Sequence, residues 1–204
     1  MGRKQNPEQR RRDLCDAAIE LLAEGGIKAV THLKVDRHAG LPDGTTSFYF
    51  RTSSALLHAV AARIADLDLA DLTAATATKD DSASPATGLA ELVMHTASGE
   101  RLVRSKARHE LAMPSSRDER LGEAFSRHQQ QFVELHRDIV VRLSPARTPA
   151  TAIDERAFIL MMFISGLLIA IARGDHTIRS AAQLEAIIVS LATGAVTGRT
   201  STRR

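Results

Sequence analysis

The sequence predicts an all-α protein made of two helical domains, over residues 7–52 and 53–198. Three observations lead to this fold class. Apolar side chains recur every three or four residues along most of the chain, which is the helical period. Glycine and proline mark the intervals between these segments. The 204-residue chain is 44% hydrophobic but only 3% aromatic, so we expect an aliphatic core.

The first helix is predicted to begin at Asn6-Pro7 and to end at Gly25-Gly26. Asparagine as the cap with proline in the first turn is typical of a helix start. Three arginines, Arg10, Arg11 and Arg12, lie in the first turns, where the helix dipole disfavours cations. They are either a solvated charged face or contacts to phosphates, which would offset that cost. The stretch that follows favours phosphates.

A short second helix is predicted directly after this one. The Thr31 hydroxyl can cap it by accepting an unpaired backbone N–H. Leu33, Val35 and Ala39 would form its inner side. At Gly40 the chain must reverse, and glycine adopts a positive φ there without steric cost.

A third helix is predicted from about Asp43 to Phe50, with Pro42 near its first turn. Phe48 and Phe50 would be its apolar anchors. Two helices joined by a tight glycine turn form a helix-turn-helix, whose second helix can enter a DNA major groove. The pattern in isolation equally fits an ordinary corner between two helices.

Residues 10–64 carry a longer pattern of fixed spacing. Its members are Ala17, Ala18, Leu21, Thr31, Val35, Ala39, Gly40, Leu41, Gly44, Thr45, Phe48, Phe50, Leu56 and Leu57. This pattern resembles the DNA-binding domain of the TetR family of one-component repressors. The resemblance covers about a quarter of the chain and implies a DNA-binding regulator.

The chain departs from the family pattern at several positions. They are Asp36 (usually Ala), Pro42-Asp43 (usually Ser-Lys), Ser47 (usually Tyr) and Ser53 (usually Lys). Losing the tyrosine and the lysine removes expected phosphate contacts, which Tyr49 and Arg51 can replace. Asp43 either caps the third helix or accepts a hydrogen bond from a cytosine amino group.

Two sets of DNA contacts follow from the motif and its resemblance. The candidates for phosphate contacts are Arg3, Lys4, Arg10, Arg11, Arg12, Thr31, Thr45, Tyr49 and Arg51, with Gly44 in the turn. The candidates for base edges are Asp43, Thr46 and Ser47. The net charge of +3 is too small to indicate a nucleic-acid partner by itself, so the placement of the cations matters more.

The C-terminal domain is predicted to contain several longer helices. A fourth helix covers about Ser53–Leu72 and residues 73–84 form a loop. After a helix that begins at Ser84-Pro85, another spans Arg101–Met113 and is stopped by Pro114. One amphipathic helix is then expected over the whole of Arg117–Leu143.

The apolar run Ala157–Ala172 has no charged residue. It is shorter than the roughly 20 residues that cross a bilayer, so no membrane span is predicted. A helix that is apolar all round must be buried on every side, which calls for a partner chain. The family resemblance likewise implies a homodimer through the last two helices.

The resemblance also implies a small-molecule effector bound between helices of the second domain. Candidate lining residues are Met94, His109, Met113, Phe125, His128, Phe132, Met161, Met162 and Ser165. The alternative for each is simple core packing, and a hydrogen-bonded core histidine is the favoured interpretation of His95, His109, His128 and His136. The effector would favour a half-site separation that no longer fits DNA, with the fourth helix as the lever.

Other classes of function find little support. No catalytic grouping, cofactor motif or metal-ligand spacing is evident, and the single Cys15, which excludes an internal disulfide, is expected to be a packing residue. No signal peptide is visible, which favours a cytoplasmic protein. A helical protein-binding or lipid-binding module is the main alternative, and a helical enzyme is the other. The sequence is compatible with a repressor and with an activator.

Overall fold

The computed structural model describes residues 6–77 and 84–195, which contain helices and no strands. The helices are α1 (Pro7–Gly25), a 3-10 turn (Ile27–Ala29), α2 (His32–His38), α3 (Thr45–Tyr49), α4 (Ser53–Thr76), α5 (Pro85–His95), α6 (Gly99–Ser115), α7 (Glu119–Ser126), α8 (Gln129–Leu143), α9 (Ala150–Ala172) and α10 (Ala181–Thr193). The predicted all-α class is confirmed. Arg3, Lys4, residues 78–83 of the predicted loop and the C-terminal tail lie outside the described residues. The first four residues of the loop predicted at 73–84 are helical instead, because α4 continues to Thr76.

The chain forms two compact units. The first unit comprises residues up to 70 and residues 96–129, and the second comprises residues 71–95 and those from 130 onward. The first unit therefore includes most of α4, together with α6 and α7. The predicted functional boundary at residues 52–53 is a separate matter and stays a prediction.

In the first unit, α1 packs along α6 over an aliphatic core. Asn6 caps α1 by accepting a hydrogen bond from the backbone N–H of Glu8 at 3.1 Å. At the other end Gly26 has φ 67°, and a Cβ there would lie 2.8 Å from a carboxylate oxygen of Glu110. The core residues are Leu14, Cys15, Ala18, Ile19, Leu22, Val30, Val35, Phe50, Leu56, Val60, Ile64, Ala107, Leu111 and Leu121.

Ion pairs join α4 to its neighbours in the first unit. Asp16 of α1 accepts two hydrogen bonds from the Arg63 guanidinium, at 2.9 and 3.1 Å. Asp68 pairs with both Arg104 and Arg108 of α6, and only 11% of its side chain is exposed. Such paired and half-buried guanidinium groups fix the position of α4 within this unit.

Cys15 is buried in this core, as expected of a packing residue. Burial raises the pKa of its thiol to about 12, so the thiol stays protonated at neutral pH.

In the second unit, α10 packs against α5 and α9. The close approach of α5 to α4 requires glycine at position 88, because a Cβ there would lie 1.9 Å from the carbonyl oxygen of Ala75. The end of α10 is held by Ser144 and Arg156, which both donate to the carbonyl of Ala192 at 3.2 Å. The buried residues here include Leu89, Val93, Ile139, Leu160, Ile164, Leu184 and Ile188.

Two further predictions about helix ends are wrong. The single helix expected over Arg117–Leu143 is interrupted at Arg127-His128, where the two helices α7 and α8 meet. There the His128 imidazole lies 2.6 Å from the carboxylate of Asp66, a contact that holds the interruption on α4. Pro114 does not stop α6 but lies in its last turn, and the hydroxyl groups of the two following serines donate to the last carbonyls.

Candidate nucleic-acid interface

The helix-turn-helix is built on α2, a turn and α3. Thr31 caps α2 as predicted, since its hydroxyl accepts from the N–H of Lys34 at 3.3 Å. The turn needs two left-handed residues, Gly40 with φ 64° and Gly44 with φ 94°. A Cβ at either position would meet open space, so the backbone conformation and not crowding requires glycine.

A buried carboxylate joins α2 to α3. Asp36 is fully buried, and one of its oxygens accepts from the backbone N–H of Gly44 at 2.7 Å. The other accepts from the N–H of Thr46 at 2.6 Å and from its hydroxyl at 2.5 Å. Gly44 is the N-cap of α3, so Asp36 supplies from another helix the cap that α3 lacks. We call Asp36, Gly44 and Thr46 the Asp36 cluster.

The cluster corrects three predictions. Thr46 has no exposed surface and its hydroxyl is bound to Asp36, so it cannot reach a base edge. Asp43 does not cap α3, because Asp36 does; it is exposed, 3.8 Å from Arg37. The helix itself begins at Thr45, two residues later than predicted, and Pro42 lies in the turn before it.

Arg11 and His32 hold the other end of α3. The Arg11 guanidinium donates to the carbonyl of Tyr49 at 2.8 Å and lies 4.3 Å above the Phe50 ring. The imidazole of His32 donates to the carbonyl of Phe50 at 2.8 Å. Arg11, predicted to contact phosphate, is therefore bound within the protein, and this five-residue helix is held at both ends.

Phe48 was predicted to be an apolar anchor of α3, and this prediction is wrong. It is 71% exposed and not an anchor, whereas Phe50 is 2% exposed as predicted. Thr46 and Phe50 are four residues apart and both face inward, so Phe48, two residues from each, faces the opposite way. Counting the helical period back from the buried Phe50 would have placed Phe48 on the exposed side of α3.

The remaining predicted contacts differ in accessibility. Ser47 and Arg51 are exposed, Arg10 and Tyr49 are half-buried, and Arg12 is exposed on α1. The Thr45 hydroxyl donates to the carbonyl of Pro42 at 2.6 Å. Two exposed cations of α2, Lys34 and Arg37, were missed. Leu33, expected on the inner side of α2, is 43% exposed.

The predicted effector residues are divided between the two units. His109, Met113, Phe125 and His128 belong to the first unit, and Met94, Phe132, Met161, Met162 and Ser165 to the second. Met113 is 72% exposed and Met162 is 47% exposed, so these two face outward. Ser165 is exposed too, and its hydroxyl donates to the carbonyl of Met161 at 2.8 Å.

A small cavity lies between α8 and α9 of the second unit. It measures about 110 Å³, and Met161 is its one predicted residue. A drug-sized ligand needs roughly 300 Å³ or more, so this cavity is too small to hold one. Its lining is Val133, Arg137, Asp154, Ala157, Phe158 and Met161.

The four histidines expected in the core behave differently. His136 is buried and donates to the carbonyl of Phe132 at 2.8 Å, and its burial lowers the pKa of the imidazole. His109 is half-buried, and burial followed by the charge of Arg108 lowers its pKa. His95 is exposed, contrary to expectation. Across residues 6–77 and 84–195, no group of three or more potential metal ligands occurs.

Much of the surface of α9 is apolar. The exposed fractions are 59% for Phe158, 44% for Ile159, 47% for Met162 and 44% for Ile169. We call these four residues the α9 face. By length and composition alone α9 could cross a membrane, but core helices of soluble proteins pass the same test. In α10 the large apolar residues Leu184 and Ile188 are buried instead.

Comparison with known proteins identifies the family. The family model for the tetracyclin repressor-like C-terminal domain matches residues 80–197. Direct comparison with curated protein sequences finds no match. Several solved structures share the fold. One is a putative transcriptional regulator from Pseudomonas aeruginosa PAO1, with TM-score 0.73 and 17% identity over 94% of this chain and 92% of the other.

Two more solved structures extend this likeness. A TetR-family member from Streptomyces coelicolor A3 has TM-score 0.65 and 22% identity, over 90% of this chain and 98% of the other. The multidrug binding protein EbrR, complexed with ethidium, has TM-score 0.61 and 22% identity, over 93% of this chain and 99% of the other. The matched family model covers more than half of the chain, and the chain belongs to the TetR family of transcriptional regulators, which are not enzymes.

Proposed function

We propose that this chain is a homodimeric repressor that binds a palindromic operator and is released from it by a small molecule. The observation that carries the proposal is the fixed presentation of α3. A helix of five residues is too short to be stable alone. Its attachment to Asp36 at one end and to Arg11 and His32 at the other supports a role as a rigid reading helix.

Exposed residues around α3 fit a DNA backbone. Lys34, Arg37 and Arg51 can neutralise phosphates. Thr31 caps α2, and the Thr52 hydroxyl accepts a hydrogen bond from the N–H of Ala55 in the first turn of α4, so both lie close to these cations in sequence. Ser47 and Asp43 remain the candidates for base edges. Phosphate contacts would fix the register, and base contacts would select the sequence.

A dimer through the α9 face would give the protein two reading helices. A carbon-rich surface of this kind is costly to leave in water, and a second copy can cover it under twofold symmetry. Two symmetric helices then read the two halves of a near-palindrome, and the dimer geometry sets their spacing. The family resemblance points to the last two helices, of which α9 is one.

The third part of the proposed function is release from the operator by a small-molecule effector. EbrR, a structural relative, is complexed with ethidium. An effector of this chain would act by stabilising a dimer conformation whose half-site spacing no longer fits DNA, and α4 is the helix suited to transmit it. Half-buried candidates such as Phe125 and Phe132 are the first positions to test for ligand contacts.

The test is to select duplexes that bind the protein from a randomised pool. The affinity of the protein for the selected duplex is then measured at several salt concentrations. We expect an inverted repeat, and a linear fall of log affinity with log salt. Arg51→Ala should weaken binding and reduce the salt slope by about one. Arg147→Ala removes the same charge from an exposed position in the second unit and should change neither.

A chain that selects no duplex at low salt would contradict the proposal and leave the protein- or lipid-binding module in its place. Transcription in vitro from a promoter that carries the selected repeat then separates a repressor from an activator. We expect transcript levels to fall as the protein is added.

A further inference from the structure

We propose that Phe48 is a specificity-determining residue that packs against the C5 methyl group of a thymine in each operator half-site. This inference rests on the proposed DNA-binding function and names what the reading helix recognises. Phe48 lies on a short helix and is unusually exposed for a phenylalanine, since 71% of its surface is accessible to water.

Internal contacts fix the direction in which Phe48 points. Thr46 is bound to Asp36 and Phe50 is buried beneath the Arg11 guanidinium, so the inner side of α3 is occupied. Any rotation that buried Phe48 would expose Phe50 and break the bonds to Asp36. The neighbouring Tyr49 ring meets Phe48 edge-on, with centroids 5.1 Å apart, and restricts its rotamers further.

The composition of α3 excludes the commonest readers of guanine and adenine. Bidentate recognition of guanine uses arginine or lysine, and that of adenine uses asparagine or glutamine. The five residues of α3, Thr-Thr-Ser-Phe-Tyr, include none of these. Thr46 is buried and the Thr45 hydroxyl is bound to Pro42, so Ser47 and Phe48 are the groups that α3 exposes most.

An exposed phenyl ring has one good partner in the major groove. Thymine is the only standard base that presents a methyl group there, and apolar side chains contact it directly. The contact removes apolar surface of both partners from water, which is favourable. The ring cannot form hydrogen bonds with a guanine or an adenine edge, so it discriminates by contact alone.

Uracil provides a chemical test, because deoxyuridine pairs as thymidine does and lacks only the methyl group. Thymidines of the selected duplex are replaced one at a time by deoxyuridine and affinities are measured for the full chain. We expect one position per half-site at which the replacement weakens binding about four-fold, and about 15-fold when both half-sites are changed. Replacements outside the bound repeat should have no effect.

Variants of Phe48 assign the effect to this residue. Phe48→Ala should bind thymidine and deoxyuridine duplexes equally at the sensitive position, whereas Phe48→Leu should keep part of the discrimination because it keeps an apolar contact. Both variants should fold normally since the side chain is exposed, and circular dichroism checks this. Arg51→Ala should weaken both duplexes alike and leave their ratio unchanged.

Each other outcome overturns the inference. If the duplex is bound but no thymidine is sensitive, or if Phe48→Ala retains the full discrimination, the ring does not read the methyl group and the DNA-binding function stands. If no duplex is bound at all, the proposed function fails and this inference fails with it.

Discussion

The helix-turn-helix and the α9 face differ in the kind of side chain that each buries and exposes. Around α3 the protein buries polar groups and satisfies them, and three donors converge on one carboxylate. Along α9 it exposes apolar groups that no part of residues 6–77 and 84–195 covers. Polar contacts are directional and fix an orientation, whereas apolar contacts are tolerant of direction and supply association energy.

The difference follows from helix length. A helix of 23 residues such as α9 holds its shape through its own hydrogen bonds and has a side left over for a partner. A helix of five residues leaves most of its N–H and C=O groups without partners inside the helix. Residues from α1 and α2 must satisfy them, and the same contacts orient the reading surface.

The largest expected effect concerns the α9 face. Met162→Glu places a carboxylate, twice under twofold symmetry, in a surface that we propose is buried in the dimer. We expect the dimer dissociation constant to rise at least about 1,000-fold, or about 4 kcal/mol. Sedimentation equilibrium measures it. The matched control is Met113→Glu, at an exposed methionine of α6, which should leave the dimer intact.

A dissociation constant for Met162→Glu within ten-fold of the parent would remove the α9 face from the interface. The apolar surface of α9 would then have to be covered by something other than a second copy of this chain.

The next effect concerns the Asp36 cluster. Asp36→Ala leaves two backbone N–H groups and the Thr46 hydroxyl buried without acceptors. We expect the free energy of unfolding to fall by about 3 kcal/mol, since hydrogen bonds to a charged group are among the stronger ones. Urea denaturation followed by circular dichroism measures the change, with exposed Asp43→Ala as the control that should alter little.

DNA binding by the same two variants provides a second test of the Asp36 cluster. If Asp36 orients α3, Asp36→Ala should lose sequence preference even at temperatures where it remains folded. A stable Asp36→Ala variant that keeps both stability and preference would show that the cluster is incidental.

The sequence correctly predicts those features that interactions between near neighbours in the chain determine. The caps at Asn6 and Thr31, the glycine turn and the buried Phe50 all follow from residue types and short spacings, and the structure has them. The prediction from sequence failed where the hydrogen-bond partners of a side chain lie on another helix. Nothing near Asp36 in the sequence indicates that its carboxylate meets Gly44 and Thr46.

The same limit explains two further errors. The pattern of Arg117–Leu143 keeps the helical period through the interruption, so periodicity cannot show that His128 turns to Asp66 of α4. Arg11 is predicted to contact phosphate because of its charge and the neighbouring helix-turn-helix, yet its partners are a carbonyl and a ring 38 and 39 positions away. The Phe48 error was avoidable, because period counting alone places it outside.

A smaller effect separates Arg11 from its neighbour. Arg11→Ala removes a hydrogen bond and a cation–π contact, and we expect a loss of about 1–2 kcal/mol in the free energy of unfolding. Exposed Arg12→Ala should leave stability unchanged and only reduce the salt dependence of DNA binding. Thermal and urea unfolding of the two variants measure the difference, and equal stabilities would contradict the internal role of Arg11.

The smallest effect is a pH dependence that comes from the second unit. Burial lowers the pKa of His136 below its ordinary value of 6.5, so the unfolded chain binds this proton more readily than the folded one. The stability that neutral His136 contributes is present above pH 6.5 and is lost as the pH falls through the lowered pKa. His136→Gln should therefore flatten the fall in stability on acidification, and exposed His95→Gln should not. Because His109 titrates with the same sign from the first unit, part of the slope should survive in His136→Gln and decrease further in the double variant. Denaturation midpoints at a series of pH values test this order, and a slope unchanged in His136→Gln would mean that the buried imidazole is solvated when the chain is folded.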